Sequence, residues 1–390
     1  MRGIVNTFLY NAGMNSPKVA IVHDYLVQYG GAEATLEYIC DIFPNAPIYT
    51  SVYNPKNLSE KLNSKRIITP KMSSLFNILP KHLTFLMPIV FENFDLSEFN
   101  IIISSGTAYA KSVLTKPDQL HIAYIHTPPR FLYGYSVEST NRSKWYYKPI
   151  ISYMDHYLKI WDYVAAQRPN FIVTNSYNTK KRIEKFYNRI AEVIYPPIKL
   201  NDMYGRIIIH PNKDPLKVPY YFMHGRLSAY KNLDFVISAF NLLDIPLVIS
   251  GTGSEETKLK RMAGKNVTFL GRTSEEQKNT YYNNCLGFIF PVVEEDFGMV
   301  VVEAMSHGKP VLAHKSGGAR EIMRENIDGM FFENLSLDEF INKVKIFDEK
   351  IRRNEFNPAE IKKQTLKFDE KNFVSGFKNF VYEKWGIHNA

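Results

Sequence analysis

The chain has 390 residues, of which 45% are hydrophobic and 22% charged. At ~100–200 residues per domain, that length accommodates two domains, and the near-average composition excludes collagen, a long coiled coil and a disordered chain. Lys and Arg total 48 against 39 Asp and Glu, a net charge of +9, which points to anionic partners such as nucleic acid, phospholipid headgroups or phosphorylated small molecules. Two cysteines far apart, Cys40 and Cys285, supply neither a disulfide framework nor a Cys-rich metal site, the pattern of a reducing compartment. No apolar run reaches the ~18–20 residues that cross a bilayer. The apolar patch at the N-terminus is interrupted by Asn6, Tyr10 and Asn11, which argues against a signal peptide. A cytoplasmic protein is expected.

The first strong strand is Lys18–His23 (KVAIVH), a continuous apolar run of the kind buried in a parallel sheet. Gly30-Gly31 follows, then a helical pattern that stops before Pro44; strand, glycine turn and helix open a βαβ unit. Further buried strands are predicted at Asn100–Ser104, His121–Ile125 and Phe171–Thr174. Tyr195-Pro196-Pro197 and the polar residues up to about Val218 mark a linker. A second alternating series then begins. It has strands at Tyr220–His224, Pro246–Ser250, Val267–Leu270, Gly287–Pro291 and Pro310–His314, and helices at Leu233–Leu243, Glu255–Ala263, Ser274–Asn284 and Met299–His307. In Leu233–Leu243, residues Leu233, Val236, Ile237, Phe240 and Leu243 form one apolar stripe. A helical tail is predicted at Glu370–Trp385. The fold class is α/β, two domains in tandem, and the cleft between such domains is the default place for a ligand.

The most informative segment is PVVEEDFGMVVVEAMSHGKP, Pro291–Pro310. Glu295 sits on the loop leaving a strand and Glu303 eight positions on, within the following helix. Gly298 has no Cβ, so a ligand can approach the backbone closely, and the open amides of the helix N-terminus favour an anion such as phosphate. Glu303 is the only charge within Met299–Met305; a carboxylate there can accept hydrogen bonds from two vicinal hydroxyls, as in a ribose or hexose. The plainer reading is a favourable interaction of Glu303 with the helix dipole and a solvated loop at Glu295. Arg226 ends a strand and Lys231 follows five residues later. Two cations at the carboxyl end of a parallel strand suit a diphosphate, although each alone could be a surface charge. Ser250-Gly251-Thr252-Gly253 is a third loop of this type, without a third glycine or a P-loop. In the first half, Gly30 and Gly31 would bring backbone close to a ligand, or simply form a turn. His126 follows a strand end, where a structural role competes with a catalytic one. His23 lacks clustered partners that would support a metal site.

Several of these motifs occur together and in order. Glu295-x7-Glu303 around Asp-Phe-Gly, Gly-Arg-x4-Lys-Asn, Gly-Gly-Ala-Glu, NSYNTKKRIEKFY–VIYPP at Asn175–Pro197 and Ser316-Gly317-Gly318 closely resemble glycosyltransferase family 4, over roughly Lys18 to Met323. IVHDYL…GGAE, FDLSEFNIIISSGTAYAK and YIHTPPRFLY resemble bacterial mannosyltransferases of O-antigen and exopolysaccharide assembly. The resemblance implies a GT-B fold. Residues 1–200 would form an acceptor-binding Rossmann-like domain and residues 201–369 a nucleotide-sugar-binding one, facing each other across a cleft. A helix over 370–390 would cross back to the first domain. It also implies metal-independent transfer with retention of configuration and no cofactor beyond the nucleotide-sugar substrate, with GDP-mannose the expected donor. Arg226 and Lys231 would hold the donor diphosphate, and Glu303 the ribose hydroxyls. Glu295, with the backbone at Phe297, Gly298, Met299 and Val300, would hold the donor sugar. Gly30, Gly31 and Gly251 would line the donor site, and His126 would approach the donor sugar. Where the family commonly has proline after Phe-Gly, this chain has Val300, Val301 and Val302, which a helix tolerates. A donor carrying UDP is the alternative within the same family.

A nucleic-acid-binding protein is the rival suggested by charge, but no RNP, KH, zinc-finger or basic-helix pattern is present. Met72–Phe91 is apolar and broken by Pro80 and Pro88, with Arg66, Lys71 and Lys81 in or near it; Arg130–Tyr147 is rich in aromatics. Both suit either core helices or contact with an anionic bilayer surface. The second option implies a polyprenyl-diphosphate-linked glycan acceptor at the inner face of the cytoplasmic membrane. On that option the protein is expected to sediment with anionic liposomes at low salt and not at high salt; no sedimentation at low salt would remove the membrane contact.

Overall fold

The computed structural model describes residues 17–70, 86–135, 148–200 and 218–389. Residues 72–85 of the apolar stretch, 136–147 of the aromatic stretch and 201–217 of the linker lie outside them. The chain packs as two units: one contains the segments up to Tyr133, Lys144–Pro197 and Glu370–Ala390, the other Ile198–Asp369.

Among the described residues, the first unit has seven strands: β1 (Val19–His23), β2 (Ile48–Thr50), β3 (Ile67–Ile68), β4 (Ile101–Gly106), β5 (Leu120–Ile125), β6 (Phe171–Thr174) and β7 (Glu192–Val193). All pair in parallel, in the order β3-β2-β1-β4-β5-β6-β7. The central strands are buried along almost their whole length, as strands covered on both faces are. Ile21 meets Ile48 on one side and Ile103 on the other. Between β1 and β2 the chain crosses over through helix Gly31–Ile42, which buries Leu36, Ile39 and Cys40.

One carboxylate ties the sheet's centre together. Asp24, buried directly after β1, accepts from the backbone N–H groups of Thr107, Ala108, Tyr109 and Ala110 at 2.6–2.8 Å. A buried charge is tolerable when several donors meet it. Behind β5, helix Lys148–Ala165 contributes Asp162, which is fully buried, pairs with Lys111 at 2.6 Å and accepts from Tyr133 and Tyr187 at 2.9 and 2.8 Å. Removing one partner of such a pair costs about 3–5 kcal/mol.

Helix Glu370–His388 lies on this sheet. Phe373, Phe377 and Val381, four residues apart, are its buried stripe, and Tyr124 of β5 meets both phenylalanines edge-on at 5.9 and 6.0 Å. Tyr38 anchors the helix start by donating to Glu370. Truncating one such buried phenylalanine to alanine costs about 3–5 kcal/mol.

The second unit has six strands among the described residues: β8 (Tyr221–His224), β9 (Leu247–Ser250), β10 (Val267–Gly271), β11 (Gly287–Phe290), β12 (Val311–His314) and β13 (Gly329–Phe332). They too are parallel, in the order β10-β9-β8-β11-β12-β13. Leu233, Val236, Ile237 and Phe240 of helix Leu233–Leu243 are buried, as the stripe predicts. The fold is therefore two parallel-sheet α/β units of Rossmann type, the class expected from the sequence. Within the partly described stretches, Met87–Glu92 is a short helix that buries Met87 and Phe91 while Ile89 stays exposed. No helix among the described residues is long and apolar enough to cross a membrane.

Burial strongly depresses the pKa of four histidines, His121, His126, His224 and His307. Burial, aided by Arg168 and Arg189, pushes His121 down to about 3. His126 and His224 are likewise held at about 4, burial acting first and His23 or Lys278 adding to it. Burial with Lys362, Lys309 and Lys278 nearby takes His307 to about 3. As pH falls through the ordinary histidine value of 6.5, the unfolded chain gains protons that the folded chain does not. Stability rises with pH wherever the unfolded state holds more protons, so acid removes it in this window. The thermal unfolding midpoint is expected to drop between pH 7 and pH 5; a midpoint constant over that range would show that these imidazoles titrate normally.

Candidate functional site

In a parallel sheet of this order, the strands on either side of the reversal send their loops in opposite directions, opening a crevice at their carboxyl ends. In the second unit the reversal falls between β8 and β11. A small open hollow lies there, lined by His224, Gly225 and Arg226 after β8, Ser250 at the end of β9, and Phe290, Pro291 and Val292 after β11, with Lys231 at its side. Two cations predicted from sequence, Arg226 and Lys231, thus border one cavity.

Lys231 is not a lone point charge. Its Nζ lies 2.7 Å from Glu295 Oε2, with both side chains mostly buried, and 4.9 Å from the Tyr230 ring centroid. Burial pulls the lysine pKa down, but the Glu295 carboxylate and Tyr230 more than offset this and raise it. The ammonium is therefore charged, and an arriving anion shares it with Glu295. His224 bonds Ser250 Oγ at 3.1 Å, and Ser250 Oγ lies 2.7 Å from Thr273 Oγ1. At its depressed pKa, His224 is a neutral hydrogen-bonding wall of the hollow.

The loop carrying Glu295 is held by a second loop. Gly318 N–H donates to Glu295 O at 2.8 Å and Glu294 N–H to Ser316 Oγ at 2.9 Å. A Cβ on Gly317 would fall 2.3 Å from Glu295 O, and one on Gly318 2.2 Å from Phe297 O; only glycine lets the two backbones meet so closely. Phe297 is buried and meets Phe368 edge-on at 5.3 Å, so its side chain is an anchor and its backbone faces the loop. Gly298 caps helix Met299–Ser306 with φ of 102° and no side-chain cap bond. A Cβ there would meet nothing closer than 3.6 Å, so the glycine is required by its left-handed backbone, not by the room a ligand needs. Met299 and Val300, both half-buried, form the open first turn.

Glu303, one turn further on, is half-buried and faces helix Glu275–Asn284: Lys278 Nζ lies 3.3 Å and Tyr282 Oη 3.2 Å from its Oε2. Gly251 leaves β9, its N–H donating to Gly271 O at 2.8 Å and its Cα packed on the Gly225 carbonyl.

Gly30, Gly31 and His126 belong to the first unit. Gly30 caps helix Gly31–Ile42 without a side-chain bond. His126 is buried, with Nε2 3.1 Å from Ser105 Oγ and Tyr124 edge-on at 5.1 Å. Its depressed pKa makes it a neutral imidazole at neutral pH. Beside it, His23 Nε2 lies 3.8 Å from Glu33 Oε1. Burial raises the Glu33 pKa, and the bond to His23 more than reverses this.

Sequence reasoning passed over Lys278 and Tyr282, and named His224 only as a strand end and Ser250 only as part of a glycine loop. The i, i+4 spacing of Lys278 and Tyr282 marks one helix face, but nothing in it points to Glu303, 21 positions beyond Tyr282.

Comparison with known proteins finds similarity in both sequence and fold. Residues 206–374 match the family described as glycosyl transferases group 1. An uncharacterized glycosyltransferase of Methanocaldococcus jannaschii is 29% identical over 167 residues, 41% of this chain and 46% of that protein. The O-antigen chain mannosyltransferase C of Escherichia coli is 21% identical over 190 residues, 47% of this chain and 49% of that one. The chain thus spans about half the length of these relatives. Anabaena Alr3699/HepE, solved in complex with UDP-glucose, shares the fold with a TM-score of 0.71 at 18% identity, over 95% of this chain and all of that one. The family match falls on the segment that carries the second unit, and the likeness in fold extends over 95% of the chain.

Proposed function

We propose that the protein is a retaining hexosyltransferase that moves mannose from GDP-mannose to a lipid-linked or oligosaccharide acceptor in bacterial surface-polysaccharide synthesis. The observation that carries the reading is the crevice at the β8–β11 reversal, where Arg226 and the charged, carboxylate-paired Lys231 border a cavity beside the uncapped helix N-terminus at Gly298. The donor diphosphate sits against these cations. Negative charge growing on the departing nucleotide meets fixed positive groups and helix amides already in place, the kind of preorganised stabilisation that lowers a transfer barrier most.

Glu303 accepts from the ribose hydroxyls. Glu295, oriented by its bond to Lys231 and by the Gly317-Gly318 loop, accepts from the donor-sugar hydroxyls. Gly251 lines the donor site. No metal is required, because the two cations do the work a divalent ion would do. The acceptor is a free glycan or a polyprenyl-diphosphate-linked one, the latter presented at the inner membrane face. The mannosyltransferase relative from Escherichia coli supports the donor sugar; the UDP-glucose bound by the Anabaena protein favours a second reading, the same transfer from a UDP-sugar.

Calorimetry against GDP, UDP, ADP and NAD⁺ separates these readings. Micromolar GDP binding with weak UDP binding is expected; a UDP preference would replace the donor, and binding of none would overturn the nucleotide-sugar site. Lys231→Ala and Glu303→Ala should each weaken GDP binding at least tenfold, about 1.4 kcal/mol. Glu295→Ala should spare GDP binding and depress transfer. Transfer should persist in EDTA; loss restored by Mg²⁺ would contradict the metal-free mechanism.

A further inference from the structure

Glu303 does not stand free on its helix. Lys278 Nζ and Tyr282 Oη, one turn apart on helix Glu275–Asn284, converge on a single oxygen, Oε2, at 3.3 and 3.2 Å. Among the described residues no side chain donates to Oε1. An ionised carboxylate has about four lone-pair positions, two on each oxygen. Two donors on Oε2 leave the pair on Oε1 for two further donors, the number a vicinal diol supplies.

Both anchors are rigid. The Tyr282 ring is fully buried, with Phe222 edge-on at 5.0 Å, Phe288 tilted at 5.6 Å and His307 stacked at 5.2 Å. Burial, then Glu303, holds its phenol well above the usual range, so it keeps its proton and donates. Lys278 is 9% exposed and also pairs with Glu275 at 2.9 Å. Burial alone would lower its pKa; Glu303 and Glu275 reverse that and keep it charged. Groups whose own rotamers are locked by packing are the ones able to hold a binding carboxylate in one geometry.

We infer that Lys278 and Tyr282 are positioning residues that fasten Glu303 through Oε2 and present Oε1 as the acceptor for a ligand's vicinal hydroxyls. This rests on the reading of Glu303 as the ribose-binding carboxylate. An ion pair serving only to join two helices would hold the same groups together and leave ligand discrimination untouched.

The test is the ratio of affinities for the nucleoside diphosphate that the wild type binds best and for its 2′-deoxy counterpart. It is measured by calorimetry on the wild type, Lys278→Met, Tyr282→Phe and Glu303→Ala. Loss of folded protein cancels in a ratio taken on one preparation, and Tyr282→Phe removes one hydroxyl from a ring whose packing remains. The wild type is expected to prefer the ribo form by about tenfold, Glu303→Ala to abolish the preference, and Lys278→Met and Tyr282→Phe each to bring it close to that of Glu303→Ala. Wild-type ratios in both anchor variants, alongside a collapsed ratio in Glu303→Ala, would overturn the positioning role and leave the proposed function standing. No preference in the wild type would overturn the inference at its base. No nucleotide binding at all would remove the proposed function and the inference with it.

Discussion

Parallel pairing is the constraint from which the other features of each unit follow. Strands that all run one way cannot be joined by hairpins; each connection must return across a face of the sheet, and a helix covers that distance with its backbone satisfied. Every carboxyl end then lies on one edge. Both sheets begin at a central strand, grow outward on one side and then restart on the other. In each, the loops after the two central strands part. The first unit closes its central edge with a side chain, Asp24 taking four backbone N–H groups after β4. In the second unit the equivalent edge is hollow, and Arg226 and Lys231 border the gap.

Charge in the second unit is arranged in matched pairs. Lys231 with Glu295 and Lys278 with Glu303 each join a lysine largely removed from water to a carboxylate of the Glu295–Glu303 segment. Desolvation penalises the lone ammonium and the carboxylate restores it, so both lysines stay protonated in surroundings that would otherwise discharge them. Each pair also orients its carboxylate. The loop between the two acids gains its rigidity from backbone packing, with Gly317 and Gly318 against Glu295 and Phe297. A site built this way needs little rearrangement to present charge to a ligand, which is how fixed dipoles and ions contribute most to transfer chemistry.

Much of the fold was legible from the chain. Continuous apolar runs such as VAIVH, IIIS and GFIF are buried strands because nothing else accommodates them on two covered faces. The stripe of Leu233, Val236, Ile237 and Phe240 and the buried tail helix also follow from periodicity. The short strands Ile48–Thr50, Ile67–Ile68 and Glu192–Val193 escaped it, since two or three residues carry no period. Of the candidate site, Arg226, Lys231 and Glu295 were readable as polar residues just beyond strand ends. Gly298 was readable as a glycine, but for another reason than its φ.

The sequence by itself determined where strands, helices and loops alternate, and therefore that polar side chains following strands gather on one edge. Local chemistry suffices for that: apolar periodicity, glycine at left-handed positions and the absence of a third glycine are all short-range properties. Only the tertiary structure decided which of those side chains touch. Lys231 meets Glu295 across 64 positions, and Lys278 meets Glu303 across 25, because parallel strands and their crossover helices bring distant segments side by side. The neutral state of His126 and His224 was decided there too, since it depends on how much water the packed chain removes from each ring.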